Sequence, residues 1–68
     1  MNVLLLEDDA KTASFITRGL VELGHGVDWS QDGHEGLEKA RTGRYDVMVV
    51  DRMLPGRSGL SIVEALRR

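Results

Sequence analysis

The side chains with the most chemistry to offer in this sequence are carboxylates. Glu7, Asp8 and Asp9 follow the apolar run Val3-Leu4-Leu5-Leu6, and Asp51 follows a second apolar run, Val47-Met48-Val49-Val50. Carboxylates brought close together repel, so one of them retains a proton unless a cation relieves the conflict. Mg2+ suits such a set, because it takes oxygen ligands, typically one or two carboxylates, and completes its shell with water and phosphate oxygens. An Asp carboxylate is also a nucleophile toward phosphorus and forms an acyl phosphate. That reaction asks the protein for positioning and charge neutralisation and for little covalent chemistry of its own. Asp51, at the end of a stiff apolar run, is the better-placed nucleophile, and Glu7 and Asp8 are the better metal holders.

The same acids have ordinary structural uses. Asp8 or Asp9 can cap a helix that follows, and negative charge is favourable at a helix N-terminus. For Asp9 the capping role is preferred. Asp51 has no cap to make ahead of Leu54-Pro55-Gly56, a stretch with the Pro and Gly of a type II turn. Asp51 and the first cluster taken together therefore favour a metal site. His25 and His34 have no partner at ligand spacing and read as solvated loop side chains. Trp29 reads as core or half-exposed packing. Neither G-x-x-x-x-G-K nor G-x-G-x-x-G is present, which argues against a nucleotide-phosphate loop.

The acids can meet only if the runs before them lie side by side and point the same way. Val3–Leu6 is short and continuously apolar, the pattern of a strand covered on both faces in a parallel sheet. Ala13, Ile16, Leu20 and Leu23 recur at helical spacing, with Gly24 where a terminating glycine belongs. Val27 and Trp29 alternate with polar residues, predicting a second strand. Asp32-Gly33 marks a loop, and Gly36, Leu37 and Ala40 form a weak helical stripe that Gly43 ends. Each glycine inside that helix costs about 1 kcal/mol against Ala. Val47–Val50 is the third strand, and Ser58 can cap a last helix with Leu60, Val63 and Leu66 on one face. Strand and helix thus alternate three times, which predicts an α/β fold: a parallel sheet with helices on both faces and right-handed crossovers. If the first and third strands are neighbours, about 4.8 Å apart, Asp8 and Asp51 face each other with Glu7 close by. That edge, at the carboxyl ends of the strands, is where open α/β sheets bind ligands.

Composition narrows the classes. The chain has 68 residues and no Cys, which excludes disulfides and zinc-thiolate sites. A chain of this size buries only about 60% of its unfolded surface. The net charge is -2, and the nine Lys and Arg are scattered, with only Arg67 and Arg68 adjacent. This argues against nucleic-acid binding by the chain itself. No apolar run approaches the roughly 18 residues of a membrane span, and the start lacks the features of a signal peptide. A soluble, cytoplasmic chain is expected, with no membrane partner.

The segments "LLLEDDA" and "VVDRMLPGRSG", with "DG" and "YD" between them, resemble the receiver domain of bacterial two-component response regulators. The resemblance covers all 68 residues and is nearest to the OmpR/PhoB-like transcription factors. It implies a truncated flavodoxin-like receiver fold, with three parallel strands in the order 2-1-3 and three helices. It implies that Asp51 accepts phosphate from a histidine kinase. It implies Mg2+ as cofactor, with Glu7 and Asp8 as the acidic pair, Asp8 and Asp51 as ligands and the Met53 backbone carbonyl completing the set. The family is similar to five strand-helix units, so residues 1–68 are expected to form a partial receiver domain without strands four and five. DNA binding would belong to a C-terminal domain outside these residues.

Two other readings compete. A phosphatase working through an aspartyl phosphate would need a second Asp two residues beyond Asp51, where Met53 stands, so no enzyme is expected. A half-fold assembly module would keep the acids without signalling. Either way the third strand lacks a neighbour within the chain. A homodimer is therefore expected, pairing along that apolar edge or exchanging elements.

Overall fold

The structure, a computed structural model, describes residues 1–51 and 55–66. Strand β1 (Asn2–Leu6), helix α1 (Ala10–Glu22), strand β2 (Gly26–Ser30), helix α2 (Gly33–Thr42), strand β3 (Val47–Val50) and helix α3 (Gly59–Leu66) alternate along the chain. The strands form one sheet in the order β2-β1-β3, with β1 parallel to both neighbours. The expected order 2-1-3 is thus observed. Val3, Leu4, Leu5 and Leu6 are all buried, as a central strand covered on both faces requires. Leu4 and Leu6 point to one face, where they pack with Leu37 of α2 and Ile62 of α3. Val3 and Leu5 point to the other.

The helix boundaries follow from their caps. The Asp9 side chain accepts from the Lys11 N–H at 3.2 Å and from the Thr12 hydroxyl at 2.6 Å, opening α1. Gly24, at φ 90°, closes it and donates to the Val21 carbonyl. Asp32 caps α2 through the His34 and Glu35 amides, so the Asp32-Gly33 pair read as a loop is the helix start itself. Ser58 accepts from the Ser61 N–H and opens α3 as expected.

Two side-chain assignments need correction. Leu23 lies beyond α1 and is exposed. In α3 the expected face, Leu60, Val63 and Leu66, points outward, and Leu60 is 57% exposed. Ile62 at 0% faces the core instead, beside buried Gly59. Ser61 and Glu64 give the helix GLSIVEAL one polar side, but its apolar side is broad enough to hold Ile62 as well as the expected stripe, so spacing alone does not select the inward residues. The glycines of α2 also have a packing use. A Cβ on Gly36 would sit 2.5 Å from a methyl of Leu6, so the missing side chain lets the helix approach the sheet. No helix among the described residues is long and apolar enough to cross a membrane.

Candidate functional site

The acidic edge is built by two strand ends. Leu6 and Val50 are register partners, and the Asp51 N–H donates to the Leu6 carbonyl at 2.8 Å. The ladder therefore runs one residue past β3 and delivers Asp51 beside the segment leaving β1. On the other side the Glu7 N–H donates to the Ser30 carbonyl at 3.1 Å, extending the pairing with β2. Carboxylate oxygens of Glu7, Asp8 and Asp51 lie within 4.8 Å of one another. Glu7 and Asp51 are half-buried and Asp8 is exposed, so the cluster opens to solvent on one side.

The electrostatics reflect burial first and the neighbouring carboxylates second. The Glu7 pKa is raised above its ordinary value, first by burial, against an opposing hydrogen bond from the Asp9 N–H. The charge of Asp51 and hydrogen bonds to Asp8 and Asp51 raise it further. Glu7 therefore holds its proton longer than an isolated Glu when no cation is present. An oxygen-only donor set, partly desolvated and open on one side, fits a hard divalent ion such as Mg2+.

Asp9 stands apart, spent on its cap. Its pKa is lowered, mainly by the Thr12 hydroxyl and then by the Lys11 N–H. Met53, expected to add a carbonyl, lies outside the described residues, as do Arg67 and Arg68. His25 differs from the solvated loop side chain expected of it. It is half-buried, with Nδ1 2.9 Å from the Met1 amino group.

Two contacts at this edge were not anticipated. The Trp29 indole N–H donates to the Glu7 carbonyl at 2.8 Å. The signal available was the tryptophan itself, because an indole N–H at a partly buried position usually finds an acceptor. The Gly33 N–H donates to the Pro55 carbonyl at 2.9 Å, and a Cβ there would collide with the backbone of Arg57. This close approach joins the start of α2 to the turn after β3. Gly56, at φ 80°, supplies the backbone that a type II turn needs at this point.

The family model for the response regulator receiver domain matches residues 3–68. The transcriptional activator protein IrlR of Burkholderia pseudomallei (strain 1026b) is 44% identical over 68 residues, which are 100% of this chain and 30% of that protein. The transcriptional regulatory protein CusR of Escherichia coli (strain K12) is 43% identical over 67 residues, 98% of this chain and again 30% of the relative. The chain thus spans less than a third of these relatives. The Francisella response regulator 1452 receiver domain superposes with a TM-score of 0.94 at 39% identity, over 97% of this chain and 55% of that one. A sensor protein from Polaromonas sp. JS666 gives 0.90 at 33% identity, over 98% and 54%.

Proposed function

This chain belongs to the response regulator receiver domain family, and on that premise we propose that Asp51 is its phosphate acceptor, with Mg2+ held by Glu7, Asp8 and Asp51. Receiver domains are signalling modules of two-component systems, and the relatives of this one are transcriptional regulators. The match favours signalling over a half-fold that only assembles. The observation that carries the site assignment is the convergence of the three carboxylates within 4.8 Å at the carboxyl edge of the sheet.

The proposed reaction is one transfer. A carboxylate oxygen of Asp51 attacks phosphorus in line with the P–N bond of a kinase phosphohistidine. The O–P bond forms, the P–N bond breaks, and its electron pair leaves with the imidazole. Mg2+, when bound, offsets the charge on the phosphoryl oxygens. Glu7 and Asp8 hold the ion, and the exposed side of Asp8 leaves the edge open to the donor. Met53 is proposed to add its carbonyl, as the resemblance implies. We place the chain in the cytoplasm, taking phosphate from a histidine kinase and passing the signal to a DNA-binding domain outside these residues.

Phosphoramidate carries the same P–N bond and tests the proposal in solution. With Mg2+ present, a 31P acyl-phosphate resonance is expected from the parent and not from Asp51→Asn. An equal resonance from both proteins, or none from the parent, would overturn the assignment.

A further inference from the structure

We propose that Trp29 is a positioning residue for the acidic edge: by holding the Glu7 carbonyl, it fixes the direction in which Glu7 and Asp8 present their carboxylates to a divalent cation. The inference rests on reading Glu7, Asp8 and Asp51 as the cation site. The indole N–H reaches the Glu7 carbonyl across 2.8 Å, from a residue 22 positions away in sequence. That carbonyl belongs to the peptide joining Glu7 to Asp8, and a peptide is planar. Holding its oxygen therefore orients the unit from which the Asp8 side chain springs. The Glu7 amide is held separately, by the Ser30 carbonyl at 3.1 Å. Both ends of Glu7 thus answer to β2, one through backbone and one through Trp29.

Trp29 is itself well anchored. Its backbone pairs in register with Leu5, and its carbonyl accepts from Lys39 Nζ of α2 at 3.1 Å. The residue is 37% exposed, so packing alone does not account for a tryptophan here. The need for a tether is electrostatic. Carboxylates of Glu7, Asp8 and Asp51 within 4.8 Å of one another disfavour a common arrangement when all are ionised. An indole donor on the β2 side holds the peptide between Glu7 and Asp8 and so keeps the carboxylates arranged before the ion arrives. Ligand groups ordered in advance bind more tightly than groups that must be ordered on binding.

Trp29→Phe keeps an aromatic side chain and removes only the N–H donor. Mg2+ titrations of the parent chain and this variant, followed by calorimetry, provide the test, with thermal unfolding of both measured without Mg2+. Mg2+ affinity is expected to fall about threefold to tenfold, the value of one hydrogen bond, while the unfolding midpoint stays near that of the parent. A parent that binds Mg2+ and a folded variant that binds it equally well would overturn the inference and leave the cation site standing. A parent that binds no Mg2+ would overturn both. Should the variant fail to fold, the indole N–H proton resonance of the parent decides. This is the only tryptophan in the chain, so the signal is unambiguous. A saturable shift on adding Mg2+, lost in Asp51→Asn, supports the inference, and a resonance indifferent to Mg2+ overturns it.

Discussion

The acids divide by what each carboxylate faces. Asp9 faces the first amides of α1, and its lowered pKa marks a cap. Glu7 faces Asp8 and Asp51, and its pKa is raised, first by burial and then by the Asp51 charge. A pH dependence follows from that direction. A carboxyl whose folded pKa lies above its unfolded value stabilises the fold most on the acid side, and that contribution is lost as pH rises through the folded pKa. Replacing Asp51 by Asn removes one of the charges that raise Glu7. A carboxyl titration by NMR without Mg2+ should therefore place the Glu7 midpoint lower in Asp51→Asn than in the parent. Asp8→Asn and Asp51→Asn should each weaken Mg2+ binding by roughly tenfold or more, because each removes ligand charge, and calorimetry checks this. The Asp9 cap and the meeting of Glu7, Asp8 and Asp51 were legible in the sequence because one acidic cluster and one single acid each follow the end of an apolar strand. Trp29 was not legible as a contact of the acidic edge. Its bond to Glu7 depends on the β1–β2 register and a side-chain rotamer, which local pattern does not encode.

The elements position these residues through close contacts that spacing rules reveal only in part. Glycine propensity marked α2 as the weakest helix, and by propensity alone Gly36→Ala should stabilise it by about 1 kcal/mol. The structure reverses the sign. The new Cβ would meet Leu6 methyls at 2.5 and 2.9 Å, and Leu6 is fully buried, so those methyls cannot yield without displacing the core. Overpacking of this kind costs typically 1–3 kcal/mol, and chemical denaturation should show Gly36→Ala net destabilised. The end of the sheet away from the acids offers a second test. There the Tyr45 hydroxyl donates to Asp28 at 2.7 Å and ties the approach to β3 onto β2. That bond is the main reason the Tyr45 pKa is raised, with burial and the Asp28 charge adding to it. The stabilisation is present below the ordinary tyrosine range and is lost as pH rises through the raised value. This is the only tyrosine in the chain, so its tyrosinate absorbance is unmixed. Its midpoint should lie above the ordinary value of 10.0 in the parent and move down in Asp28→Asn. The orientation of α3 was the poorly legible element, because its apolar side is broad enough to hold Ile62 as well as Leu60, Val63 and Leu66.

At the scale of the molecule, the strand order builds the acidic edge: with β1 between β2 and β3, the acids after β1 and β3 must share one edge. Alternation of strand and helix predicted the parallel sheet, and the family resemblance supplied the order. Among the described residues β3 pairs only with β1, and Val47 and Val49 are each 39% exposed. An apolar edge without charge or proline favours pairing. As a proposal for the 68-residue chain, self-association along β3 should appear as a sedimentation coefficient that rises with concentration, and Val49→Lys should suppress the rise. The central claim, that Asp51 accepts phosphate at a Mg2+ site shared with Glu7 and Asp8, is tested most directly by intact mass. Parent and Asp51→Asn would be incubated with acetyl phosphate, each with Mg2+ and with EDTA. A gain of one phosphoryl group is expected in the parent with Mg2+, and none in the other three samples. Equal gain with EDTA would contradict the metal site, and gain by Asp51→Asn would contradict the acceptor.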